Sequence, residues 1–136
     1  MTTAEEIMTE NPTTVSEDTT LRDALELMQD GSIRHLPVLR EGLLVGMISD
    51  RDVQSLGLRL VTDLESLERV DARLSATVGT VMSGNILSVS RIADLGEVID
   101  LLVEEKIGAL PVVDDGKLVG ILSYVDVLRV LRDTLD

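Results

Sequence analysis

Apolar residues recur at the spacing of one helix face in two stretches of the chain. The spacing predicts amphipathic helices over about Leu21–Gln29 and Leu95–Glu104, each burying one face against the rest of the protein. Residue pairs typical of helix caps stand at both predicted starts. The apolar positions are Leu21, Ala24, Leu25 and Met28, then Leu95, Val98, Ile99 and Leu102, and the capping pairs are Thr20 with Asp23 and Asp94 with Glu97.

Two short apolar runs joined by a glycine-containing turn follow each predicted helix, and such runs predict β-hairpins. A short helical turn and an extended segment precede each helix, and a further helix begins after each hairpin. The order β-α-β-β-α is therefore predicted twice. The strands are His35–Leu39, Leu44–Ser49, Ala109–Val113 and Leu118–Leu122, the leading turns are Thr3–Met8 and Thr77–Met82, the extended segments lie near Val15 and Val89, and the closing helices begin near Asp50 and Tyr124.

The two halves of the chain align without a gap when one is shifted by 74 residues, which brings Leu36 onto Leu110. Under this shift Leu-Pro-Val at 36–38 matches Leu-Pro-Val at 110–112, and Leu-Val-Gly at 44–46 matches Leu-Val-Gly at 118–120. An ungapped match of this length indicates a duplicated unit.

The duplication predicts one integrated module. Residues 1–60 form the first repeat, 61–76 a helical connector and 77–136 the second repeat. A single repeat has a small core and leaves its apolar strands uncovered, so we expect the two repeats to pack together. Apolar residues among the many charges of the connector predict that it extends the last helix of the first repeat or adds another helix, rather than being a floppy linker.

Composition excludes several classes of function. The chain has 136 residues, a net charge of −13 and a single aromatic residue, Tyr124. A chain this acidic repels a phosphate backbone, and one aromatic ring cannot build a platform for stacking bases, so nucleic-acid binding is not expected. No apolar run approaches the roughly 20 residues that span a bilayer, and the N-terminus lacks the pattern of a signal peptide, which predicts a cytoplasmic protein without a membrane partner.

Residue types also argue against catalysis and metal binding. The chain has no cysteine and one histidine, His35, so no thiolate nucleophile, histidine-based triad or Cys/His metal site is expected. No two of the many carboxylates are marked as a catalytic pair. We therefore predict that the protein is not an enzyme, has no metal site and requires no cofactor.

A Ser-x-x-Asp sequence occurs in each repeat where the second hairpin strand ends and the following helix begins. The pairs are Ser49 with Asp52 and Ser123 with Asp126. Each pair fits a capping box, which stabilises a helix by about 1 kcal/mol. The same geometry suits a nucleotide, because a helix N-terminus attracts phosphate and a carboxylate can accept hydrogen bonds from both ribose hydroxyls. The two roles are compatible.

Both copies of this motif resemble the cystathionine-β-synthase-type (CBS) domain. Gly-Met-Ile-Ser-Asp-Arg-Asp-Val at 46–53 and Gly-Ile-Leu-Ser-Tyr-Val-Asp-Val at 120–127 each follow a Leu-Pro-Val strand. The resemblance covers essentially the whole chain. It implies an α+β fold, a CBS-domain pair or Bateman module, in which two β-α-β-β-α repeats pack about a pseudo-twofold axis and two modules stack into a homodimer.

The resemblance further implies two clefts between the repeats that bind adenosine compounds: AMP, ADP, ATP, NAD or S-adenosylmethionine. The negative charge of the chain favours a ligand with fewer phosphates, a cationic ligand, or Mg²⁺ as a bridge. In the family, this aspartate contacts the ribose and this serine the sugar or phosphate, while backbone near the hairpin start contacts adenine. One implied cleft combines Ser123 and Asp126 with Thr9, Thr14, Ile33 and Arg34, and the other combines Ser49 and Asp52 with Ser83, Ser88, Ile107 and Gly108.

The two repeats differ at the start of the hairpin, where Arg34-His35 matches the uncharged Gly108-Ala109. Relatives place basic residues here, facing phosphates, and an acidic chain that binds a nucleotide needs local positive charge. Arg34 is therefore either a phosphate contact or a partner in a surface ion pair, and His35 either a phosphate contact or a packed histidine. Arg51 and Lys106 are further candidates, and we expect two unequal sites or a single working one.

These observations predict a sensor that binds an adenosine compound, changes conformation and signals to a separate effector protein. The alternative is a structural or oligomerisation module whose clefts are vestigial and empty, with the Ser and Asp pairs serving as helix caps.

Overall fold

The computed structural model describes residues 2–54 and 64–135, with the backbone alone for residues 64–67 and 70. Helices and strands alternate in the order that the repeat predicts. The helices are α1 (Ala4–Ile7), α2 (Leu21–Gly31), α3 (Asp50–Gln54), α4 (Leu64–Leu74), α5 (Leu95–Glu104) and α6 (Tyr124–Asp133), and the strands are β1 (Thr9–Glu10), β2 (Val15–Ser16), β3 (His35–Arg40), β4 (Leu43–Ser49), β5 (Val89–Ser90), β6 (Ala109–Asp114) and β7 (Lys117–Ser123).

The chain divides into two compact units, which we name by the repeat that supplies most of each. The first-repeat unit is Thr13–Ile86, and the second-repeat unit joins Met1–Pro12 to Leu87–Asp136. We call residues 2–12 the leading segment of the first repeat and residues 77–86 the leading segment of the second, and the rest of each repeat its body. Each unit therefore contains the body of one repeat together with the leading segment of the other.

A hairpin with a parallel strand at its edge forms the sheet of each unit. In the first-repeat unit β3 pairs antiparallel with β4 and parallel with β2, and in the second-repeat unit β6 pairs with β7 and β5 in the same register. The leading segment adds to the far edge of each hairpin, since β1 pairs antiparallel with β7 and Ser83 forms an isolated bridge to Met47.

Each sheet packs one face against its own helices. In the first-repeat unit Leu21, Ala24 and Met28 of α2 are buried against Leu36 and Ile48 of the hairpin. In the second-repeat unit Val98 and Leu102 of α5 are buried with Leu110, Val112 and Leu122. Each leading segment contributes one fully buried residue, Val78 to the first core and Ala4 to the second.

The predicted helices and hairpins are present, with small differences at their ends. The prediction for α5 is confirmed at both bounds, and α2 continues two residues further than predicted. The side chains of Thr20 and Asp94 accept hydrogen bonds from the backbone N–H groups of Asp23 and Glu97, at 3.2 and 2.9 Å, as expected of caps.

The two leading turns are shorter than predicted. The first is the four-residue helix α1, and the second is the 3-10 turn Val78–Thr80. Between the repeats, a helix is confirmed at Leu64–Leu74, while residues 55–63 of the predicted first repeat and connector lie outside the described residues.

Both hairpins turn through two residues with positive φ. In the first repeat these are Glu41 (φ 51°) and Gly42 (φ 83°), and in the second Asp115 (φ 52°) and Gly116 (φ 78°). Two positive values in a two-residue loop define a type I′ turn, in which Asn or Asp is preferred before the glycine. Glu41 is therefore a poorer choice for its position than Asp115.

We expect Glu41→Asn to stabilise the protein by roughly 0.5–1 kcal/mol, because asparagine adopts positive φ at a lower cost than glutamate does. Urea unfolding measures the change. The exchange Asp115→Glu at the matching turn is the control and should destabilise by a similar amount. Equal stability of all three proteins would contradict the assignment of strain to Glu41.

Candidate functional site

The first Ser-x-x-Asp pair forms a complete capping box. The backbone N–H of Ser49 donates to Oδ2 of Asp52 at 2.8 Å, and the backbone N–H of Asp52 donates to Oγ of Ser49 at 3.2 Å. Ser49 ends β4, and Asp52 lies in the first turn of α3. The structural role that the sequence allowed for this pair is therefore present.

The second pair also forms a capping box, and its carboxylate accepts one further hydrogen bond. Oδ2 of Asp126 accepts from the backbone N–H of Ser123 at 2.9 Å and from its hydroxyl at 3.2 Å. Within the described residues, the hydrogen bonds of this carboxylate go to Oδ2, so Oδ1 keeps its capacity to accept. The carboxylate is half-buried and held at the start of α6, where a ligand hydroxyl could reach it.

A leading-segment hydroxyl lies beside each of these junctions. Thr9 is opposite Ile121 in β7, and Ser83 is opposite Met47 in β4, each two residues before the serine of the motif. Both hydroxyl residues are exposed. Each unit therefore brings together three of the predicted site residues, Thr9 with Ser123 and Asp126, and Ser83 with Ser49 and Asp52.

Two glycines allow the leading segment to approach this closely. A Cβ at Gly120 would lie 2.9 Å from the carbonyl oxygen of Thr9, and one at Gly46 would lie 3.0 Å from that of Ser83. The sulfur atom of Met8 also lies where a Cβ at Gly120 would be placed, and that of Met82 where a Cβ at Gly46 would be placed. The sequence contained these glycines in its repeat, but only the position of the crossing segment shows why glycine is needed.

The backbone before each hairpin reaches the start of the following helix. The N–H of Asp50 donates to the carbonyl of Arg34 at 3.0 Å, and the N–H of Tyr124 donates to that of Gly108 at 3.4 Å. One N–H at each helix start is thus used within the protein and is less available to an anion than predicted. Ile33 and Ile107 are half-buried against the cores of their own units.

Charged side chains surround the first of the two junctions. Arg34 and Arg51 are exposed, and in the described part of the chain neither forms an ion pair with another residue. His35, opposite Ser49 in the sheet, is half-buried, and burial lowers its pKa from the usual 6.5 despite the opposing effects of Asp50 and Asp52. A neutral imidazole is a poorer contact for phosphate than the charged form, so the geometry favours the packed role for His35.

His35 should make stability fall as the pH drops below about 6.5. Its pKa is lower in the folded protein than in the unfolded chain, so the unfolded chain binds a proton first as the solution is acidified. The contribution is complete above the unfolded pKa and is lost down to the folded one. Urea unfolding between about pH 5 and pH 8 should therefore show a slope that His35→Ala removes.

Arg34→Ala is the control for this experiment, because it changes a nearby charge and leaves the only histidine of the chain in place. It should retain most of the wild-type slope. Parallel pH profiles for the wild type and His35→Ala would show that burial does not hold this histidine neutral.

The corresponding junction of the second repeat is apolar at its surface. Tyr124 and Val125 stand where the first repeat has Asp50 and Arg51, and they are 43% and 53% exposed. The hydroxyl of Tyr124 donates to the carbonyl of Leu102 at 3.2 Å, which fixes the ring against the end of α5. The sequence identified the charge difference at Arg34 but not this second one, although the aligned repeats contain it.

The other predicted site residues lie in the surrounding loops. Thr14 and Ser88 directly precede β2 and β5, and Lys106 follows α5 with a positive φ of 54°. Thr14 is half-buried, and Ser88 and Lys106 are exposed. The grouping of Thr14, Ile33 and Arg34 with Ser123, and of Ser88, Ile107 and Gly108 with Ser49, stays a prediction.

Within residues 2–54 and 64–135, no three His, Cys, Asp or Glu side chains are grouped so as to hold a metal ion. In the same ranges, no helix has the length and apolar character to cross a membrane.

Comparison with known proteins connects this geometry to a family. The model of the CBS domain matches residues 4–58 and 78–133. The chain is 33% identical over 125 residues to the uncharacterized protein MJ0188 of Methanocaldococcus jannaschii, covering 91% of this chain and 42% of that protein. It is 32% identical over 134 residues to Hypoxic response protein 1 of Mycobacterium tuberculosis, covering 98% of this chain and 87% of that protein.

One of the similar solved structures is that of a protein with a bound ligand. The crystal structure of CBSX2 in complex with AMP matches with a TM-score of 0.82 and 34% identity over 98% of each chain. CBSX2 is a protein of Arabidopsis thaliana. The chain thus spans nearly all of this relative but less than half of MJ0188.

Proposed function

Since the chain belongs to the CBS-domain family and carries two CBS domains, we propose that it is a regulatory module that binds an adenosine compound. The predicted α+β CBS-pair fold is confirmed. Binding at the strand-to-helix junctions would favour one conformation of the module, and a separate effector protein would respond to that change.

The observation that carries the proposal is the junction of the second-repeat unit. Asp126 is held by its capping contacts in one orientation, and its Oδ1 atom keeps the capacity to accept a ribose hydroxyl. Ser123 and Thr9 add hydroxyl groups on the same sheet edge. A relative with 34% identity over nearly the whole chain binds AMP, which supports an adenosine compound as the ligand class.

The charges near the first junction support a ligand that carries phosphate. Arg34 and Arg51 are exposed and without ion pairs in the described residues, although the chain has a net charge of −13. Arginine binds phosphate through paired N–H donors. We therefore place AMP, ADP and ATP ahead of S-adenosylmethionine, with NAD between them, and Mg²⁺ as a bridge when more than one phosphate is present.

The alternative function is a structural or oligomerisation module without a ligand. The capping boxes of both Ser-x-x-Asp pairs favour it, because capping alone explains why each serine stands three residues before an aspartate. Capping gives no role to Arg34 and Arg51, which are exposed and make no ion pair in the described part of the molecule.

A homodimer fits either function. Helix α6 carries an exposed apolar stripe at helical spacing, and contiguous apolar surface of this kind commonly marks a contact with another protein. The stripe comprises Tyr124, Leu128 and Leu131, with Leu135 just beyond the helix, and its exposed fractions run from 41% to 75%. A second copy of the chain would cover it.

Titration calorimetry of the purified protein with AMP, ADP, ATP, NAD and S-adenosylmethionine tests the proposal, with and without Mg²⁺. Mass spectrometry under native conditions first establishes that the protein carries no ligand from its host, and sedimentation velocity gives its oligomeric state. Saturable binding of one of these compounds supports the regulatory module. A folded, ligand-free protein that binds none of them at high micromolar concentration supports the structural alternative.

A further inference from the structure

The leading segment of each repeat docks on the body of the other repeat through equivalent backbone hydrogen bonds. In the second-repeat unit, Leu95 donates to Thr2, Ala4 to Ala93 and Glu5 to Arg91, at 3.0, 2.8 and 2.9 Å. In the first-repeat unit, Leu21 donates to Ala76, Val78 to Thr19 and Gly79 to Glu17, at 2.9, 2.7 and 2.9 Å. Each bond of the second set lies 74 residues from its counterpart in the first.

The side chains that anchor the two segments are also equivalent. Met8 packs on Gly120 and Met82 on Gly46. The backbone bonds and the methionine anchors therefore fit either segment to either body. Other side chains must decide which segment docks where.

Ion pairs at equivalent positions of the two bodies have opposite polarity. In the first-repeat unit, Arg40 donates to both carboxylate oxygens of Glu17, at 2.5 and 2.6 Å. In the second-repeat unit, Arg91 takes the position of Glu17 and lies 3.4 Å from Asp114, which takes the position of Arg40. Arg91 also donates to Glu5 of the docked leading segment, at 3.1 Å.

We infer that this reversal of charge selects which leading segment docks on which body. On the second-repeat body, Glu5 meets the cation of Arg91. On the first-repeat body, Glu5 would take the place of Gly79 and meet the carboxylate of Glu17 instead. The second segment has the complementary property, because Gly79 brings no charge to Glu17.

Shape reinforces the selection at the same position. A Cβ at Gly79 would lie 3.2 Å from both Cβ and the carbonyl oxygen of Glu17. A side chain there, including that of Glu5, would require Glu17 to shift by a few tenths of an ångström. The segment with glycine fits Glu17, and the segment with glutamate fits Arg91.

The rejected arrangement is within reach of the chain. If residues 2–12 docked on the first-repeat body, residues 10–15 would connect opposite edges of its sheet. These edges are three strand spacings apart, roughly 14 Å. Five extended residues span about 16 Å, so chain length does not prevent the alternative.

Exposed ion pairs contribute little to stability individually, and these pairs are exposed. Selection between the two bodies does not require a large contribution from either ion pair. It depends on the difference in free energy between attraction at one body and repulsion at the other. Like charges placed against each other disfavour the wrong arrangement specifically.

Disulfide trapping can measure both arrangements, since the chain has no cysteine of its own. Thr3 and Asp94 are partners in an antiparallel bridge, at a separation that suits a disulfide. Thr3→Cys with Asp94→Cys therefore traps the observed docking, and we call this pair the native reporter. Thr3→Cys with Thr20→Cys traps the alternative, because Thr20 is the equivalent of Asp94, and we call this pair the swapped reporter. Each pair removes one helix-capping side chain, so the two reporters are matched.

Both reporters are refolded from urea at low micromolar concentration, oxidised, and analysed by mass spectrometry for intramolecular disulfide. We expect the disulfide yield of the native reporter to exceed that of the swapped reporter at least tenfold. Glu5→Lys should raise the yield of the swapped reporter at least threefold, because lysine is repelled by Arg91 and attracted by Glu17. Glu6→Lys is the control, since it makes the same charge change one residue away, and it should leave the ratio of the two yields unchanged.

Arg91→Glu should produce the same shift from the other side of the contact. The double variant Glu5→Lys/Arg91→Glu restores attraction and should return the ratio towards that of the wild type. An unchanged ratio in both single variants, an equal effect of Glu6→Lys, or a double variant no closer to the wild type than its parents would overturn the inference. Circular dichroism of every variant identifies any general loss of structure, and Arg91→Glu provides the decisive ratio if Glu5→Lys does not fold.

Discussion

Asp126→Asn should weaken the binding of AMP by roughly 10- to 100-fold while the protein stays folded. A carboxylate accepts charge-assisted hydrogen bonds from hydroxyl groups, each contributing about 1.5–3 kcal/mol, and an amide forms weaker ones and donates from one of its two atoms. About 1.4 kcal/mol corresponds to a tenfold change in affinity. Titration calorimetry of the wild type and the variant with AMP measures the loss.

Asparagine is preferred to alanine at this position because Asp126 also caps α6 through its contacts with Ser123. An amide oxygen can still accept these hydrogen bonds, so a loss of affinity is not confused with fraying of the helix. Asp133→Asn makes the same charge change in the same helix, at an exposed position beyond the junction, and should leave the affinity unchanged.

Asp52→Asn completes the comparison at the first junction. Unequal sites predict that the two variants weaken binding to different extents, and a single working site predicts that one of them has no effect. Wild-type affinity for AMP in both variants would show that neither aspartate contacts the ligand. Both would then be helix caps, and the ligand site would have to be sought elsewhere.

The repeated elements could be predicted because local sequence determines them. The spacing of apolar residues and the capping pair at Asp94 specify α5 without reference to the rest of the protein. The glycine-containing turns likewise specify hairpins, and the type I′ turns at Gly42 and Gly116 set the register of the pairs beside them. The register of the remaining pairs is shifted by irregularities between Val38 and Leu39 and between Val112 and Val113, which the sequence did not predict.

The docking of the leading segments could not be predicted in the same way. The segments are equivalent under the repeat, and both place a methionine on a glycine, so local pattern assigns each of them to either body equally well. The difference arises from contacts such as that between Glu5 and Arg91, which are 86 residues apart in the chain. Contacts at this distance appear only when the fold is known.

The role of the Ser and Asp pairs was ambiguous for a different reason. Capping and ribose binding use the same atoms of Ser123 and Asp126, so neither the sequence nor the capping geometry separates them. The surroundings are more informative, because the two junctions differ in charge. Arg34 and Arg51 stand at the first, and Tyr124 and Val125 at the second.

The second large effect is expected from Gly120→Ala, which should destabilise the protein by about 2–3 kcal/mol, since inserting a methyl group into packed structure typically costs about 1–3 kcal/mol. Gly120 is buried, and an added Cβ would lie 2.9 Å from the carbonyl oxygen of Thr9. This oxygen belongs to the backbone of β1, which pairs with β7, so it cannot move without disturbing the pairing. Urea unfolding measures the loss.

Two further variants separate this mechanism from a general effect of replacing glycine. Gly46→Ala should destabilise somewhat less, since its Cβ would lie 3.0 Å from the carbonyl of Ser83, which is held by an isolated bridge rather than a strand. Gly96→Ala should change the stability by less than about 1 kcal/mol, because alanine is the better helix former in α5 while the added Cβ would lie 3.3 Å from the capping Oδ1 of Asp94.

Met8→Ala then identifies which neighbour of Gly120 resists the methyl group. The sulfur of Met8, like the carbonyl oxygen of Thr9, lies next to the position of the new Cβ and would contact it. A flexible side chain can move aside, whereas the backbone of β1 cannot, so Met8→Ala should not restore the stability lost in Gly120→Ala. Recovery to the level of Met8→Ala alone would assign the effect to the sulfur. It would also mean that Gly120 is not what allows the leading segment to cross so closely beside Ser123 and Asp126.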